Sequence, residues 1–236
     1  MKAILGQEKE LREIFSHIKA LISAQQEAGF DPPPLSDRGR EIFRGEKESG
    51  GLENLEDLRE FIGDCRKCKL CKSRRHLVFG EGDPHARLVF VGEAPGRDED
   101  LAGRPFVGDS GKQLTKIIEN GMRLTRQEVY ICNVVKCHPP GNRDPEKDEI
   151  EACLPFLKNQ LRIISPEVIC VLGRVAGQAL LGYDFKITRE RGKWHSYEDI
   201  PLIATYHPAY LLRNPSAKRQ VWEDIQKIME FLALEV

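Results

Sequence analysis

Four short apolar runs, each followed by polar or glycine-containing residues, constrain the fold of this chain most strongly. They lie at residues 87–92, 129–135, 168–173 and 201–207. Helical patterns alternate with them, at residues 54–62, 110–121, 145–164, 174–181 and 216–233. Continuous apolar runs are typical of strands that are buried on both faces of a parallel sheet. The pattern predicts a three-layer α/β/α sandwich with a central, mostly parallel four-stranded sheet.

The residues before this alternating region form a separate predicted segment. Apolar residues recur at helical spacing over residues 7–29, and the Asp-Pro-Pro-Pro run at 31–34 ends the pattern. Residues 35–52 are polar and contain several glycines, as linkers do. We therefore predict an N-terminal helical extension and linker over 1–55 and one α/β domain over 56–236. The extension is expected to pack on that domain, to bind a protein partner or to be partly disordered.

Composition limits the class of protein. The chain has 236 residues, a net charge of −1 and 40% hydrophobic residues, enough for a sizeable core. No apolar run reaches the ~18–20 residues that a membrane span needs, and the N-terminal residues lack a signal-peptide core. We therefore expect a soluble, cytoplasmic protein that has no membrane contact. Basic residues cluster at 66–76, where they form either a solvated face or a phosphate-binding patch.

Four of the seven cysteines have the spacing of a metal clamp. Cys65 and Cys68 form a C-x-x-C pair, and Cys137 and Cys153 follow far downstream. An odd number of cysteines argues against a closed disulfide framework, whereas two separated groups of thiols can bind one metal centre. Four thiolates suit zinc as well as an iron–sulfur cluster, so spacing leaves both open. The other three are a spare thiol beside the first pair and two predicted core residues within strands: Cys71, Cys132 and Cys170.

Polar side chains follow three of the predicted strands, whose carboxyl ends meet at one crevice in a parallel sheet. Glu93 stands in a Gly-Glu-Ala-Pro-Gly turn at 92–96, Asn133 lies near the end of the second run, and His207 ends the fourth. Taken singly, the turn is also a common strand exit, and a lone histidine is usually structural. The chain lacks a G-x-G-x-x-G dinucleotide fingerprint, and Gln113 stands where a P-loop requires Ser or Thr.

Two further loops carry candidate residues. The glycine-punctuated loop at 103–111 contains Phe106, which is either a presented aromatic residue or a core anchor. Ser110 is predicted to cap the helix that follows, whose N-terminus suits a phosphate. Leu211, Leu212 and Arg213 follow His207, and we predict a loop there. Adjacent leucines on such a loop can wedge into a base stack, and an arginine can hold a phosphate.

In this order, the segments closely resemble the family 4 uracil-DNA glycosylases, the iron–sulfur branch of the uracil-DNA glycosylase superfamily. The resemblance rests on residues 93–99, 103–108, 133–137 and 207–209 with four cysteines interleaved, and it covers about residues 60–233. It implies that 56–236 is a catalytic domain of that fold. It also implies a monofunctional, monomeric DNA glycosylase of base excision repair. Such an enzyme hydrolyses the N-glycosidic bond of deoxyuridine in single- or double-stranded DNA, releases uracil and leaves an abasic site.

The resemblance assigns four positions to uracil itself. Phe106 would stack on the base after it has been flipped out of the DNA. The Asn133 amide, which offers both a donor and an acceptor, would match the N3–H and O4 edge. His207 would donate toward uracil O2, where negative charge develops, and the backbone N–H of Ala94 would supplement it.

The remaining roles concern water, selectivity, DNA and metal. Glu93 would orient or activate the attacking water, and Glu99 would lie against uracil C5 and exclude a thymine methyl group. The DNA contacts, which are predicted from the two loops themselves, are Ser110, Leu211, Leu212 and Arg213. The implied ligands of a [4Fe–4S] cluster are Cys65, Cys68, Cys137 and Cys153.

Two other functions stay open at this point. One is a non-catalytic iron–sulfur module of the same fold that binds nucleic acid. The other is a small zinc-bound interaction protein. Turnover of uracil-containing DNA distinguishes the enzyme from the first, and metal content distinguishes it from the second.

Overall fold

The computed structural model of the protein describes residues 52–182 and 184–234. The predicted helix at 7–29 and all but the last residue of the predicted linker lie outside these residues. The N-terminal extension and its boundary therefore stay a prediction. Within the described ranges, no helix is both long and apolar enough to cross a lipid bilayer.

The described residues form one sheet with helices packed on both of its faces. Its strands are β1 Glu81–Gly82, β2 Leu88–Gly92, β3 Tyr130–Asn133, β4 Val168–Leu172, β5 Trp194–Tyr197 and β6 Ile200–Thr205. The α-helices are α1 Leu55–Ile62, α2 Arg97–Ala102, α3 Asp109–Lys116, α4 Lys147–Ile164, α5 Arg174–Leu181, α6 Ile187–Glu190, α7 Pro208–Arg213 and α8 Lys218–Phe231. A π-helical turn at Ile117–Gly121 extends α3.

The four predicted strands form the centre of the sheet, whose order is β1-β3-β2-β4-β6-β5. Strands β3, β2, β4 and β6 are parallel to their neighbours in this group, so the prediction of a mostly parallel sandwich is confirmed. The predicted number of strands is wrong, because β1 and β5 add antiparallel edges. Neither edge strand was predicted, because β1 has only two residues and β5 is half-exposed and lacks a continuous apolar run.

The central strands bury both faces, which explains their continuous apolar sequences. In β2, Leu88 and Phe90 belong to the core shared with α3 and α8, whereas Val89 and Val91 belong to the core shared with α1 and α4. The buried thiols of Cys132 and Cys170 lie in these cores, as predicted. A sheet packed in this way fixes where each strand ends, and those ends carry the polar residues.

Two local predictions at the ends of helices are wrong. The segment after His207 is a short helix, α7, because Pro208 fixes a helical φ at its first position and His207 Nδ1 accepts the Ala209 N–H at 3.1 Å. Ser110 does not cap α3, since that helix begins one residue earlier and Gly108 occupies the cap position.

Candidate active site

A cleft of about 480 Å³ opens where β2, β3 and β6 end. Its size is typical of a small-molecule site, and its place at the carboxyl ends of parallel strands is the usual one. The predicted site residues that line it are Glu93, Ala94, Glu99, Phe106, Ser110, Asn133, His207, Leu212 and Arg213. The tertiary structure thus brings together residues from three strand ends and from the loop before α3.

Leu211 is the exception among the predicted catalytic, uracil-binding and DNA-binding residues, because it does not line the cleft. Its side chain is only 2% exposed and packs into the core beneath α7. Leu212, its neighbour, is 46% exposed and lines the cleft. The helical turn at α7 sends adjacent side chains in different directions, so the predicted contact of Leu211 with DNA is wrong.

Asn133 and Phe106 meet across Gly92, the last residue of β2. A Cβ atom on Gly92 would lie 2.3 Å from Asn133 Oδ1 and 2.5 Å from Phe106 Cζ, so only glycine permits this approach. Asn133 is buried, and its Oδ1 has no hydrogen-bond partner among the described residues. A buried acceptor without a partner is unfavourable unless a ligand supplies the missing donor.

His207 lies beside Phe106, with their ring centroids 5.6 Å apart. Because its Nδ1 accepts the Ala209 N–H, the neutral ring carries its proton on Nε2, which is then free to donate. Burial, reinforced by the positive charge of Arg213, lowers the pKa of His207 to about 4. The ring is therefore a neutral hydrogen-bond donor at physiological pH.

Glu93 begins the turn after β2 and lines the same cleft. Burial raises the pKa of its carboxyl group to about 7, and the negative charge of Asp144 adds to this effect. Arg174, which is ion-paired with Asp144, acts in the opposite direction. A carboxyl group that titrates near neutrality can accept a proton from water. Sequence reasoning missed Asp144 and Arg174, because they lie about 50 and 80 positions downstream.

Glu99 ties two of the loops around the cleft together. Its Oε1 accepts the backbone N–H groups of Val107 and Gly108, both at 2.9 Å, and its Oε2 accepts the Gly96 N–H at 3.0 Å. The carboxylate therefore fixes the turn at 92–96 against the loop that carries Phe106. The sequence motif contained Glu99 but gave no sign of these bonds.

A second, smaller cavity contains the four cysteines that were predicted to bind metal. Cys65, Cys68, Cys137 and Cys153 line it, and Cys71 lies outside it. Burial raises the pKa of Cys137 to about 11 and that of Cys153 to about 12, so thiolates here need a bound cation for their stability. Among residues 52–182 and 184–234, no three His, Cys, Asp or Glu side chains are placed to hold one metal ion.

Two N–H groups in this cavity point at sulfur atoms. Arg74 Nη1 donates to Cys137 Sγ at 3.2 Å, and the backbone N–H of Lys136 donates to Cys153 Sγ at 3.3 Å. Hydrogen bonds of this kind stabilise metal-bound thiolates. Four thiols on one cavity, together with these donors, are compatible with a thiolate-ligated cluster, although no three of these thiols are placed to hold a single metal ion.

Lys136 also connects this cavity with the cleft. Its Nζ is fully buried and donates to the Asn133 carbonyl oxygen at 2.7 Å and to Gln160 Oε1 at 2.5 Å. One residue further on, Cys137 lines the cysteine cavity, and His138 Nδ1 donates to the Pro95 carbonyl oxygen at 2.9 Å. The loop after β3 therefore contacts both sites.

Three residues of the basic cluster at 66–76 form ion pairs. Arg66 and Arg74 both pair with Asp64, and Lys69 pairs with Glu146 at 2.5 Å. Since these three charges have internal partners, they favour a solvated and ion-paired face over a phosphate-binding patch at their positions.

Several residues of the cleft were missed by sequence reasoning. They lie in the loop after Cys137 and on α7, and they are Pro139, Asn142, Arg143 and Tyr210. Arg143 is held in place by two bonds to Glu149, at 2.8 and 2.7 Å. The position of Pro139, Asn142 and Arg143 in the loop that follows Asn133 was the sequence signal that could have identified them.

The fold and the cleft define a class of protein that comparison with known families identifies. Residues 79–226 match the model of the uracil DNA glycosylase superfamily, and the chain belongs to that superfamily. Its relatives include the type-4 uracil-DNA glycosylase of Sulfurisphaera tokodaii, which is 47% identical over 76% of this chain and 85% of its own length. Those of Archaeoglobus fulgidus and Thermotoga maritima are each 45% identical, over 94% and 97% of their lengths and 76% and 78% of this chain. The chain is thus a member of the type-4 branch, as its motifs predicted.

Proposed function

We propose that this protein is a uracil-DNA glycosylase of base excision repair that releases uracil and leaves an abasic site, and that the cleft at the ends of β2, β3 and β6 is its active site. The observation that carries the proposal is the buried Oδ1 of Asn133 beside Phe106, which has no hydrogen-bond partner among the described residues. Uracil N3–H would supply the missing donor, while the Asn133 amide N–H donates to O4. Cytosine presents the opposite edge, so it is rejected.

Bond cleavage leaves negative charge on the departing uracil, and His207 stabilises it. The Nε2–H of the neutral ring donates to O2, and the Ala94 backbone N–H adds a second donor. Glu93, as a carboxylate, orients and deprotonates the water that attacks C1′. Among the residues that the structure describes, no lysine lines the cleft to act as an amine nucleophile, which supports simple hydrolysis without strand cleavage.

Stacking and exclusion complete the recognition of the base. Phe106 forms one wall against the flipped uracil. Glu99 faces C5, and its carboxylate is immobilised by three backbone N–H groups, so it cannot move aside for a thymine methyl group. The same bonds that order the loops thereby contribute to selectivity.

The rim of the cleft contacts DNA. Leu212 is 46% exposed and fills the space that the flipped base leaves in the stack. Arg213 and Ser110 line the same rim and contact phosphates on either side of the lesion.

The cysteine cavity holds a [4Fe–4S] cluster through Cys65, Cys68, Cys137 and Cys153. When bound, the cluster supplies a covalent cross-link between the segment after α1, the loop after β3 and α4. The protein residues around it transmit this constraint, because Lys136 bonds to both Cys153 and Asn133.

The decisive experiment is incubation of iron-loaded protein with uracil-containing oligonucleotides, followed by alkali, with cytosine- and thymine-containing strands as controls. We expect alkali-dependent cleavage at uracil alone. Binding to uracil-containing DNA without any cleavage would instead support a non-catalytic module. A comparison of single- and double-stranded substrates tests the role of Leu212, since only in a duplex does the flipped base leave a gap in the base stack for Leu212 to fill.

The pH dependence of uracil removal reports on Glu93. Because the carboxylate is the active form and its pKa is about 7, the single-turnover rate should rise as the pH increases through about 7 and then level off. His207 titrates near 4 and should add no transition between pH 5 and 9.

Glu93→Gln should give a slower rate that is independent of pH over this range. Asp144→Asn, which removes a like charge, should move the rise to lower pH; a rise that persists in Glu93→Gln would exclude Glu93 as the titrating group.

Loss of a cluster ligand should abolish both colour and activity. We expect wild-type protein to contain about four irons and to absorb broadly near ~400 nm. Cys153→Ser should lose this absorption and most of its activity, whereas Cys71→Ser, outside the cavity, should keep both. One zinc per chain in place of iron, or an unchanged spectrum of Cys153→Ser, would contradict the assignment.

A further inference from the structure

Phe106 has a backbone conformation that the protein must hold in place. Its φ is +51°, in the left-handed region that a bulky aromatic residue rarely adopts. Such a conformation is unfavourable and persists only where surrounding structure enforces it. Gly111 packs directly against this backbone, because a Cβ atom there would lie 2.0 Å from the Phe106 carbonyl carbon and oxygen.

The side chain of Arg126, in the loop before β3, binds the backbone of Pro105 and Phe106. Its Nη1 donates to the Phe106 carbonyl oxygen at 3.2 Å, and its Nη2 donates to the Pro105 carbonyl oxygen at 2.9 Å. Nη1 also donates to Thr115 Oγ1 on α3, at 3.1 Å. Arg126 therefore fixes two consecutive carbonyl groups of the loop relative to the helix behind it.

Arg126 is itself held by the edge strand β1. Glu81 Oε1 accepts bonds from Arg126 Nε at 3.1 Å and from Nη2 at 2.5 Å. The side chain of Arg126 is 13% exposed and that of Glu81 is 20% exposed, so solvent weakens this pair little. Arg104 binds the same carboxylate at 2.8 Å, but its side chain is 62% exposed. The planar guanidinium suits this task because it presents several donors in a fixed geometry.

We propose that Arg126 is a positioning residue for base recognition: it fixes the left-handed backbone of Phe106 and thereby orients the phenyl ring in the cleft. Glu81 orients Arg126 in turn. The inference rests on the proposed role of Phe106 as the wall that stacks on uracil. It assigns a function in the active site to β1, a strand of two residues at the far edge of the sheet.

A double-mutant cycle tests the inference, with single-turnover rates on a uracil-containing duplex as the measurement. Arg126→Met should lower the maximal rate by about tenfold, while the protein concentration at half-saturation stays unchanged, since DNA is still bound but the base is held poorly. Arg126→Lys, which can still donate to the carbonyl groups, should restore most of the rate. Arg104→Met removes the exposed partner of Glu81 but leaves the bonds of Arg126 to the Pro105 and Phe106 carbonyl groups intact, so it serves as the matched control and should act like the wild type.

The second arm of the cycle uses Phe106→Leu. If Arg126 acts through the ring, Arg126→Met should change the rate of Phe106→Leu by less than about twofold. Equal effects in both backgrounds, or a wild-type rate for Arg126→Met, would overturn the inference while leaving the role of Phe106 intact. A wild-type rate for Phe106→Leu would instead overturn the stacking role itself. Should Arg126→Met fail to fold, Glu81→Gln tests whether the rate depends on the orientation of Arg126. This variant keeps Arg126 but removes the carboxylate that pairs with it.

Discussion

Asn133→Leu should lower the rate of uracil removal by about 100- to 1000-fold, the range seen when one critical hydrogen-bonding group is removed from an active site. The side chain keeps a similar size but loses both the donor and the acceptor that read the base edge. Single-turnover kinetics on a uracil-containing oligonucleotide measure this loss.

The same substitution should leave the folded protein as stable as the wild type, or more stable by up to about 1 kcal/mol. The reason is that Asn133 Oδ1 lacks a partner among the described residues, so an apolar replacement removes an unfavourable buried acceptor. Thermal and urea unfolding test this expectation. Asn159→Leu is a suitable control, since its amide donates to Pro155 within α4 and should not affect the rate. A large loss of stability in Asn133→Leu would indicate that Asn133 serves the fold rather than the substrate.

Gly92→Ala should reduce activity by about 100-fold, although the one methyl group that it adds takes no part in the reaction. The new Cβ would lie 2.3 Å from Asn133 Oδ1 and 2.5 Å from Phe106 Cζ, so one or both of these side chains must move. Since the strand end is closely packed, we also expect a loss of roughly 1–3 kcal/mol in the free energy of unfolding.

Gly141→Ala separates this effect from a general intolerance of glycine substitution near the cleft. A Cβ on Gly141 would meet nothing within 4 Å, although its φ of +68° disfavours alanine. We expect some loss of stability there but nearly full activity. Equal loss of activity in both variants would mean that the cleft responds to backbone strain rather than to the crowding of Asn133 and Phe106.

Much of the fold and of the site could be predicted from the chain. The strands β2, β3, β4 and β6 are apolar on both faces, so their sequences identify them directly. The polar residues at their ends, Glu93, Asn133 and His207, were predicted to converge, and all three line one cleft. Parallel strands impose this convergence, because their carboxyl ends lie on one edge of the sheet.

The errors arose where local sequence is ambiguous. Leu211 and Leu212 are identical in type and adjacent, and only the formation of α7 decides that one is buried and the other exposed. The strand β1 was invisible because two residues carry no periodic pattern, and its pairing with β3 is long-range. Helix and strand boundaries of this kind depend on tertiary contacts.

The sequence by itself determined the alternating architecture, the strand-end residues and the two groups of cysteines, because burial and spacing leave a direct record in residue type. Only the tertiary structure decided how these parts are coupled. It showed that Glu99 joins two loops, that Lys136 links the cysteine cavity to Asn133, and that Arg126 reaches from β1 to the backbone of Phe106. Such bonds join residues whose positions become neighbours only when the chain has folded, so no local pattern could reveal them.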